Sequence, residues 1–174
     1  APKQAPASPM NWKPRSADDL IGQARRVAAS QIGKAKRIAG DASATVKLLL
    51  YGPPGVGKTS VVELIAHELS GSSLAIEDYN GREVTVDLVR EWMRALPYGS
   101  LFSSWSVKIV NEMDRCSREA QDLLLTYLDR LPPGRAFLGT MQGRSTVPAG
   151  PLDEKVSGAT LVDWAAWAAS TTFS

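Results

Sequence analysis

The 174-residue chain has few of the residues that form disulfides and protein-built metal sites. It contains one cysteine, Cys116, and one histidine, His67. A single cysteine excludes an internal disulfide and favours a reducing compartment. One cysteine and one histidine cannot together build a zinc site of the usual kind. The apolar runs are far shorter than the roughly 18 residues that a membrane span needs. Residues 1–10, APKQAPASPM, lack the apolar core of a secretory signal and predict a flexible tail.

The chain also has little excess of one charge sign, because its net charge is only +2. Its distribution is uneven: residues 1–50 carry +6, whereas residues 51–140 carry −3. The basic N-terminal third is suited to the phosphates of a nucleic acid or a ligand, but a solvated helix face explains it equally well. Hydrophobic residues make up 44% of the chain, which is enough for the core of one domain.

Short apolar segments alternate with amphipathic ones over most of the chain. Four segments are predicted to be strands: Val46–Tyr51, Leu74–Asn80, Ser106–Val110 and Ala136–Thr140. Four are predicted to be helices: Gln23–Ala39, Lys58–Ser70, one from a Thr85 cap to about Arg94 and one from a Ser117 cap to about Arg130. Strands that alternate with helices of this kind indicate βαβ units and an α/β fold with a parallel sheet.

Residues 52–59, GPPGVGKT, match the phosphate-binding pattern G-x-x-x-x-G-K-[ST] in full. The motif follows a predicted strand and opens a predicted helix, whose N-terminus adds partial positive charge. Lys58 can reach the β- and γ-phosphates of ATP, and Thr59 can bind Mg²⁺. The predicted nucleotide contacts in this loop are Pro53, Pro54, Gly55, Val56, Gly57, Lys58, Thr59 and Ser60.

A second polar group follows the third predicted strand. The apolar run ends in Asn111-Glu112, where many nucleotide hydrolases have Asp-Glu. The Asn111 carbonyl oxygen can still contact Mg²⁺, directly or through water, but brings no negative charge. Glu112 is placed to orient or deprotonate an attacking water, so that Glu112 and Lys58 are the predicted catalytic residues. The alternative is a surface carboxylate that merely follows a core strand.

Four blocks occur in the order in which clamp-loader ATPases have them. They are WKPRSADDLIG at residues 12–22, LLLYGPPGVGKTS at 48–60, DYNGRE at 78–83 with Val89-Arg90 after it, and NEMD at 111–114 followed by SREAQDLL. Over residues 12–140 the chain therefore resembles the clamp-loader, or replication factor C-like, branch of the AAA+ ATPases. The two blocks after the phosphate-binding loop carry the specific part of this resemblance.

The resemblance implies a P-loop NTPase fold, a three-layer αβα sandwich with strands in the order 5-1-4-3-2. The candidate for the fifth strand is Ala159–Val162. It further implies ATP and Mg²⁺ as cofactors, bound between neighbouring AAA+ subunits of a ring or spiral that acts on double-stranded or primed DNA with a sliding clamp. Such an assembly is expected in the cytoplasm, associated with the nucleoid, if the source is prokaryotic or viral, and in the nucleus if it is eukaryotic.

The resemblance also implies roles for individual residues. The adenine-wrapping segment corresponds to Trp12, Pro14, Ile21 and Gly22. Asn80 corresponds to a polar residue that restrains the catalytic glutamate, and Thr140 and Gln142 fall where the first sensor is expected. The arginines near the DNA-facing segments are Arg82, Arg90, Arg94, Arg115 and Arg118, for which surface or ion-pair roles are the alternative.

The sequence also departs from the family. We expect residues 11–140 to form the nucleotide-binding core and residues 141–174 to be an atypical segment without the family's helical lid; the family's Ser-Arg-Cys motif is not visible. With Asn111, these departures favour an alternative, a nucleotide-binding structural subunit that does not hydrolyse ATP. Another alternative is an AAA+ ATPase of a different DNA process, such as branch migration or helicase loading.

Overall fold

The computed structural model of the protein describes residues 15–20, 22–41, 43–51 and 57–142. These residues form four strands and four α-helices in alternation. The strands are β1 (Val46–Tyr51), β2 (Ile76–Asn80), β3 (Ser106–Asn111) and β4 (Arg135–Met141). The helices are α1 (Gly22–Ile38), α2 (Lys58–Ser70), α3 (Val86–Ala95) and α4 (Arg118–Asp129).

All described strands pair in parallel, in the order β1-β4-β3-β2. This arrangement confirms the predicted α/β fold and the 1-4-3-2 part of the predicted strand order. The candidate fifth strand, Ala159–Val162, lies outside the described residues. Because all strands run the same way, their carboxyl ends lie at one edge of the sheet, where ligands of open α/β sheets bind.

Helices cover the sheet in two pairs. Helix α2 contacts all four strands and packs against α1, whereas α3 packs against α4. A chain of aromatic contacts joins the second pair to the sheet: Tyr79 of β2 meets Trp92 of α3, Trp92 meets Tyr127 of α4, and Tyr127 meets Phe137 of β4. Strand β4 is buried from Ala136 to Met141, as a strand covered on both faces must be, and Val107, Ile109 and Val110 of β3 are also buried.

The predicted helix caps are present. The hydroxyl of Thr85 accepts from the Leu88 N–H at the start of α3, and that of Ser117 accepts from the Ala120 N–H at the start of α4. Gly71 ends α2 in the left-handed conformation, with φ of 63°. Trp105 is fully buried, and its indole N–H donates to the Ala39 carbonyl.

Four strand boundaries differ from the prediction, and two of them belong to β4, which runs from Arg135 to Met141 and not from Ala136 to Thr140. Strand β2 begins at Ile76 and not at Leu74, because the Ser72 hydroxyl accepts from the Leu74 N–H and starts a short 3₁₀ turn, Ser73–Ala75. Strand β3 continues to Asn111, because Asn111 still pairs with Asn80 of β2. In the part of the chain that is described, no helix combines the length and the apolar character that crossing a membrane requires.

Candidate nucleotide site at the carboxyl edge of the sheet

A cavity of about 380 Å³ opens at the carboxyl edge of the sheet. It lies between the N-terminus of α2 and the ends of β3 and β4. The described residues that line it are Gly57, Lys58, Thr59, Ser60, Glu112, Thr140, Met141 and Gln142. Seven of these eight are residues for which the sequence predicts a role at a nucleotide site, so the fold brings the phosphate-binding and the catalytic candidates to one place.

The N-terminus of α2 supplies the basic side of the cavity. Gly57 precedes the helix with φ of 88°, a conformation that a residue with a side chain adopts at a cost. The Lys58 side chain is buried, and burial lowers its pKa, while the negative charge of Asp114 acts in the opposite direction. An anion such as a phosphate would stabilise the charged lysine here, since opposite charges favour ionisation.

Glu112 faces this basic side from the end of β3. Its backbone is in the left-handed region, with φ of 55° and ψ of 51°, and no other described non-glycine residue has a positive φ. Its N–H donates to the Thr140 hydroxyl over 3.1 Å. A residue held in such a conformation costs free energy that the surrounding contacts must offset, and such residues concentrate at functional sites.

Two side chains hold the carboxylate of Glu112. The Asn80 amide nitrogen donates to Oε2 over 3.1 Å, and the Arg115 Nε lies 3.2 Å from the same oxygen. The Asn80 amide is oriented by its own turn, because its oxygen accepts from the Arg82 N–H and leaves the nitrogen directed at Glu112. The contact that was expected between Asn80 and the catalytic glutamate therefore exists in the structure; its role in catalysis stays a prediction.

Gly81 allows the two corners of this site to approach. A Cβ atom at Gly81 would overlap the Glu112 carbonyl oxygen and lie 2.9 Å from the Glu112 carbonyl carbon. The turn after β2 and the turn after β3 thus touch through backbone atoms. Sequence reasoning assigned no role to Gly81, although a glycine directly after the last polar residue of a strand is a signal for such close approach.

Asn111 does not line the cavity. Its side-chain oxygen accepts from the Thr140 hydroxyl over 3.1 Å, and its nitrogen donates to the Asp78 carboxylate over 3.1 Å. The prediction that Asn111 is a metal ligand is not supported by a position on the cavity wall. Asp78 is a further residue to which sequence reasoning gave no role; it lies two positions before Asn80, and side chains two apart share one face of a strand.

The end of β4 completes the wall. Thr140 and Gln142 both line the cavity, and their role as a sensor stays a prediction. The backbone N–H of Gln142 donates to Asp114 over 3.4 Å, which ties β4 to the turn after β3. Gln121 of α4 donates to the Cys116 carbonyl over 2.9 Å and fixes the other end of that turn.

The oxygen donors at the cavity suit a magnesium ion that keeps most of its waters. Thr59 and Glu112, whose side chains carry oxygen atoms, line the cavity, and Mg²⁺ is usually held by one or two protein oxygens plus substrate phosphates. No group of three acidic, histidine or cysteine side chains among the described residues could hold a metal ion alone. The residues present therefore fit a cation that arrives with a nucleotide better than a resident one.

Several predicted contacts lie outside the described residues. These are Trp12, Pro14 and Ile21 of the adenine-wrapping segment and Pro53, Pro54, Gly55 and Val56 of the phosphate-binding loop. Gly22 is the first residue of α1. The roles proposed for these eight residues stay predictions.

The predicted DNA-binding arginines are exposed on three neighbouring segments. Arg82 lies in the turn after β2, Arg90 and Arg94 lie on α3, and Arg118 is the first residue of α4. Arg90 pairs with Asp87 of its own helix at 3.2 Å, an exposed ion pair that contributes little to stability. Arg115, named with this group, instead contacts Glu112, so its nearest partner is the candidate catalytic residue.

A helix preceded by Gly57 that faces Glu112 across the carboxyl edge of a parallel sheet is an arrangement expected of P-loop domains. The sequence profile described as "ATPase family associated with various cellular activities (AAA)" matches residues 48–141, more than half of the chain. The chain belongs to this family of ATPases.

Two named relatives indicate which members of this family the chain is similar to. The chain is 30% identical over 135 residues to the replication factor C small subunit of Thermofilum pendens, an alignment that covers 73% of this chain and 39% of that protein. It is 31% identical over 121 residues to replication-associated recombination protein A of Bacillus subtilis, covering 67% of this chain and 25% of that protein. The aligned chain thus spans well under half the length of these relatives.

Solved structures agree on the fold. The RuvB Holliday junction branch migration motor of Thermotoga maritima matches with a TM-score of 0.58 and 23% identity, covering 82% of this chain and 45% of that chain. A DNA polymerase III gamma subunit-related protein from Thermotoga maritima matches with a TM-score of 0.54 and 17% identity, covering 64% and 39%. At these identities the likeness concerns the fold alone.

Proposed function

We propose that this protein is an ATP-binding and ATP-hydrolysing subunit of a clamp-loader-like assembly that acts in DNA replication or repair. The observation that carries the proposal is the position of Lys58, Thr59 and Glu112 on one cavity at the carboxyl edge of the sheet. The similarity to replication factor C small subunits supports the assignment to DNA replication. Motion of the assembly, and not a released product, would be the output.

In this proposal each side chain has one task. Lys58 and the backbone at the start of α2 bind the β- and γ-phosphates, and Thr59 would help to hold Mg²⁺, which would supply positive charge to neutralise the transferred phosphoryl group. Glu112 orients a water molecule toward that group and accepts its proton. Asn80 and Arg115 contact the Glu112 carboxylate and would restrain its position beside that water.

The described surface also offers a place for a protein partner. Four large apolar side chains are exposed near the amino edge of the sheet: Leu74, Tyr98, Leu101 and Phe102. All four line a cavity of about 220 Å³ beside the C-terminus of α3. Exposed apolar residues that cluster in this way mark interaction sites, and we assign this one to the sliding clamp that the resemblance implies.

A specific observation favours one alternative. Asn111 stands where the usual acid would be, and Glu112 is already held by two side chains, an arrangement that a non-hydrolysing structural subunit could retain. A phosphate-release assay on the full chain, alone and with its assembly partners, separates the two functions. Hydrolysis that is lost in Glu112→Gln supports the proposal, whereas ATP binding without phosphate release in either setting supports the structural subunit.

A further inference from the structure

The Asn111 amide belongs to a chain of hydrogen bonds that joins three neighbouring strands. The Glu112 N–H donates to the Thr140 hydroxyl, and the Thr140 hydroxyl donates to the Asn111 side-chain oxygen, each over 3.1 Å. The Asn111 amide nitrogen then donates to the Asp78 carboxylate, also over 3.1 Å. All three hydrogen bonds run in the same direction, from the Glu112 N–H towards Asp78, which is the final acceptor.

The chemistry of the end groups fixes the orientation of the amide. An ionised carboxylate accepts hydrogen bonds and cannot donate, so the nitrogen end of Asn111 must face Asp78. The Thr140 hydroxyl uses a lone pair for the Glu112 N–H, and its own hydrogen is therefore directed at the Asn111 oxygen. Hydrogen bonds that run in one direction polarise one another, which strengthens such a chain.

The sheet register brings these residues together. Asn111 pairs with Asn80, and Asp78 lies two residues before Asn80 on the same face of β2. An aspartate at position 111 would place a second carboxylate against Asp78, and two like charges at such a distance repel one another. The amide at position 111 is thus matched to the acid at position 78.

We propose that Asn111 is a positioning residue and not a ligand of the metal. Asn111 pairs with Asp78 and, through its hydrogen bond with Thr140, fixes the strained turn at Glu112. The inference deepens the proposed ATPase function, and its consequence for catalysis rests on that function. The hydrogen bonds themselves involve protein atoms alone and can be tested without ATP.

The test exchanges the two side chains. In the double variant Asp78→Asn with Asn111→Asp, the carboxylate now on β3 accepts from Thr140 and from the amide now on β2, so every bond has a donor and an acceptor again. In Asn111→Asp alone the two carboxylates oppose each other. Asp87→Asn is the matched control, because Asp87 is an exposed aspartate on α3 that pairs only with Arg90 in the described contacts.

The primary measurement is the hydrogen-exchange rate of the Glu112 amide in the nucleotide-free full chain. We expect Asn111→Asp to raise this rate about tenfold or more, the exchanged pair to bring it back to within about threefold of the unaltered protein, and the control to leave it unchanged. Equal rates in Asn111→Asp and the unaltered chain, or no recovery in the exchanged pair, would overturn the inference.

A second measurement links this series of hydrogen bonds to catalysis. If the chain hydrolyses ATP, Asn111→Asp should lower kcat with little change in KM, and the exchanged pair should recover kcat. An exchanged pair that restores amide protection in a protein without any hydrolysis would contradict the ATPase proposal and leave the pairing of Asn111 with Asp78 intact. Recovery of neither protection nor kcat would refute the pairing.

Discussion

Gly81 is the residue on which the geometry around Glu112 depends most sharply. An alanine there would direct its Cβ at the Glu112 carbonyl oxygen, and the Glu112 carbonyl carbon would lie only 2.9 Å away. Both atoms belong to backbone, so no side chain can turn aside to make room. We therefore expect Gly81→Ala to displace the Glu112 turn, with an overpacking cost of about 1–3 kcal/mol in the free energy of unfolding.

The same displacement should affect catalysis more than binding. A shift of about 1 Å at a reacting group can lower turnover on the order of a hundredfold, whereas Lys58 and Thr59 lie on α2 and keep their positions. Denaturant unfolding and ATP turnover measure the two effects, with Gly40→Ala as the control, since nothing lies within 4 Å of a Cβ at Gly40. The reasoning fails if Gly81→Ala matches this control in both stability and turnover.

Three further outcomes are expected. Lys108→Ala should lower the free energy of unfolding by about 1–2 kcal/mol, since Lys108 pairs with Glu77 at 2.9 Å and lies over the Trp92 ring. Burial acts to raise the pKa of Glu77, but hydrogen bonds from Lys108 and Tyr79 outweigh burial and lower that pKa below its ordinary value of 4.5. The effect of Lys108→Ala on the free energy of unfolding should therefore shrink as the pH falls below about 4.5. Changing Leu101 and Phe102 to serine should weaken clamp binding in a pull-down without altering ATP affinity; unchanged clamp binding refutes the assigned surface. Arg82→Ala should weaken DNA binding alike for all sequences and reduce the salt dependence by about one unit of slope, and an unchanged slope excludes a phosphate contact.

Much of the fold could be predicted from local patterns. The run VKLLLY is apolar apart from Lys47, and the structure has β1 at those residues, with Val46, Leu48, Leu49 and Leu50 buried. Thr85 and Ser117 indicated the starts of α3 and α4, because a cap depends on a hydroxyl and an N–H only a few residues apart. Such signals can be recognised because both partners lie close together in the sequence.

The site was harder to predict in detail for the opposite reason. The phosphate-binding loop and Glu112 were identified because each is a compact motif. The contacts that position Glu112 join residues far apart in the chain: Asn111 with Asp78, Glu112 with Thr140, and Gly81 with the Glu112 backbone. They depend on the register between strands, which the sequence pattern alone does not define to one residue.

The choice between a metal ligand and a positioning residue at position 111 is an example. From the sequence, the asparagine was a weakened ligand, because it stands at the place of an acid. The structure shows an amide whose two ends both have protein partners, and one of those partners, Asp78, is a carboxylate that a second acid would repel. The carboxylate of Asp78 therefore explains why an amide, and not a second acid, stands at position 111.

The central claim is that Lys58 and Glu112 belong to one ATP site with separate tasks. Calorimetric titration of the full chain with ATP and Mg²⁺ tests it most directly, when Lys58→Ala and Glu112→Gln are compared with the unaltered protein. We expect Lys58→Ala to abolish measurable binding, because the buried cation that meets the phosphates is gone, and Glu112→Gln to bind ATP at least as tightly as the unaltered chain. Binding that survives in Lys58→Ala, or that is lost in Glu112→Gln, would contradict it.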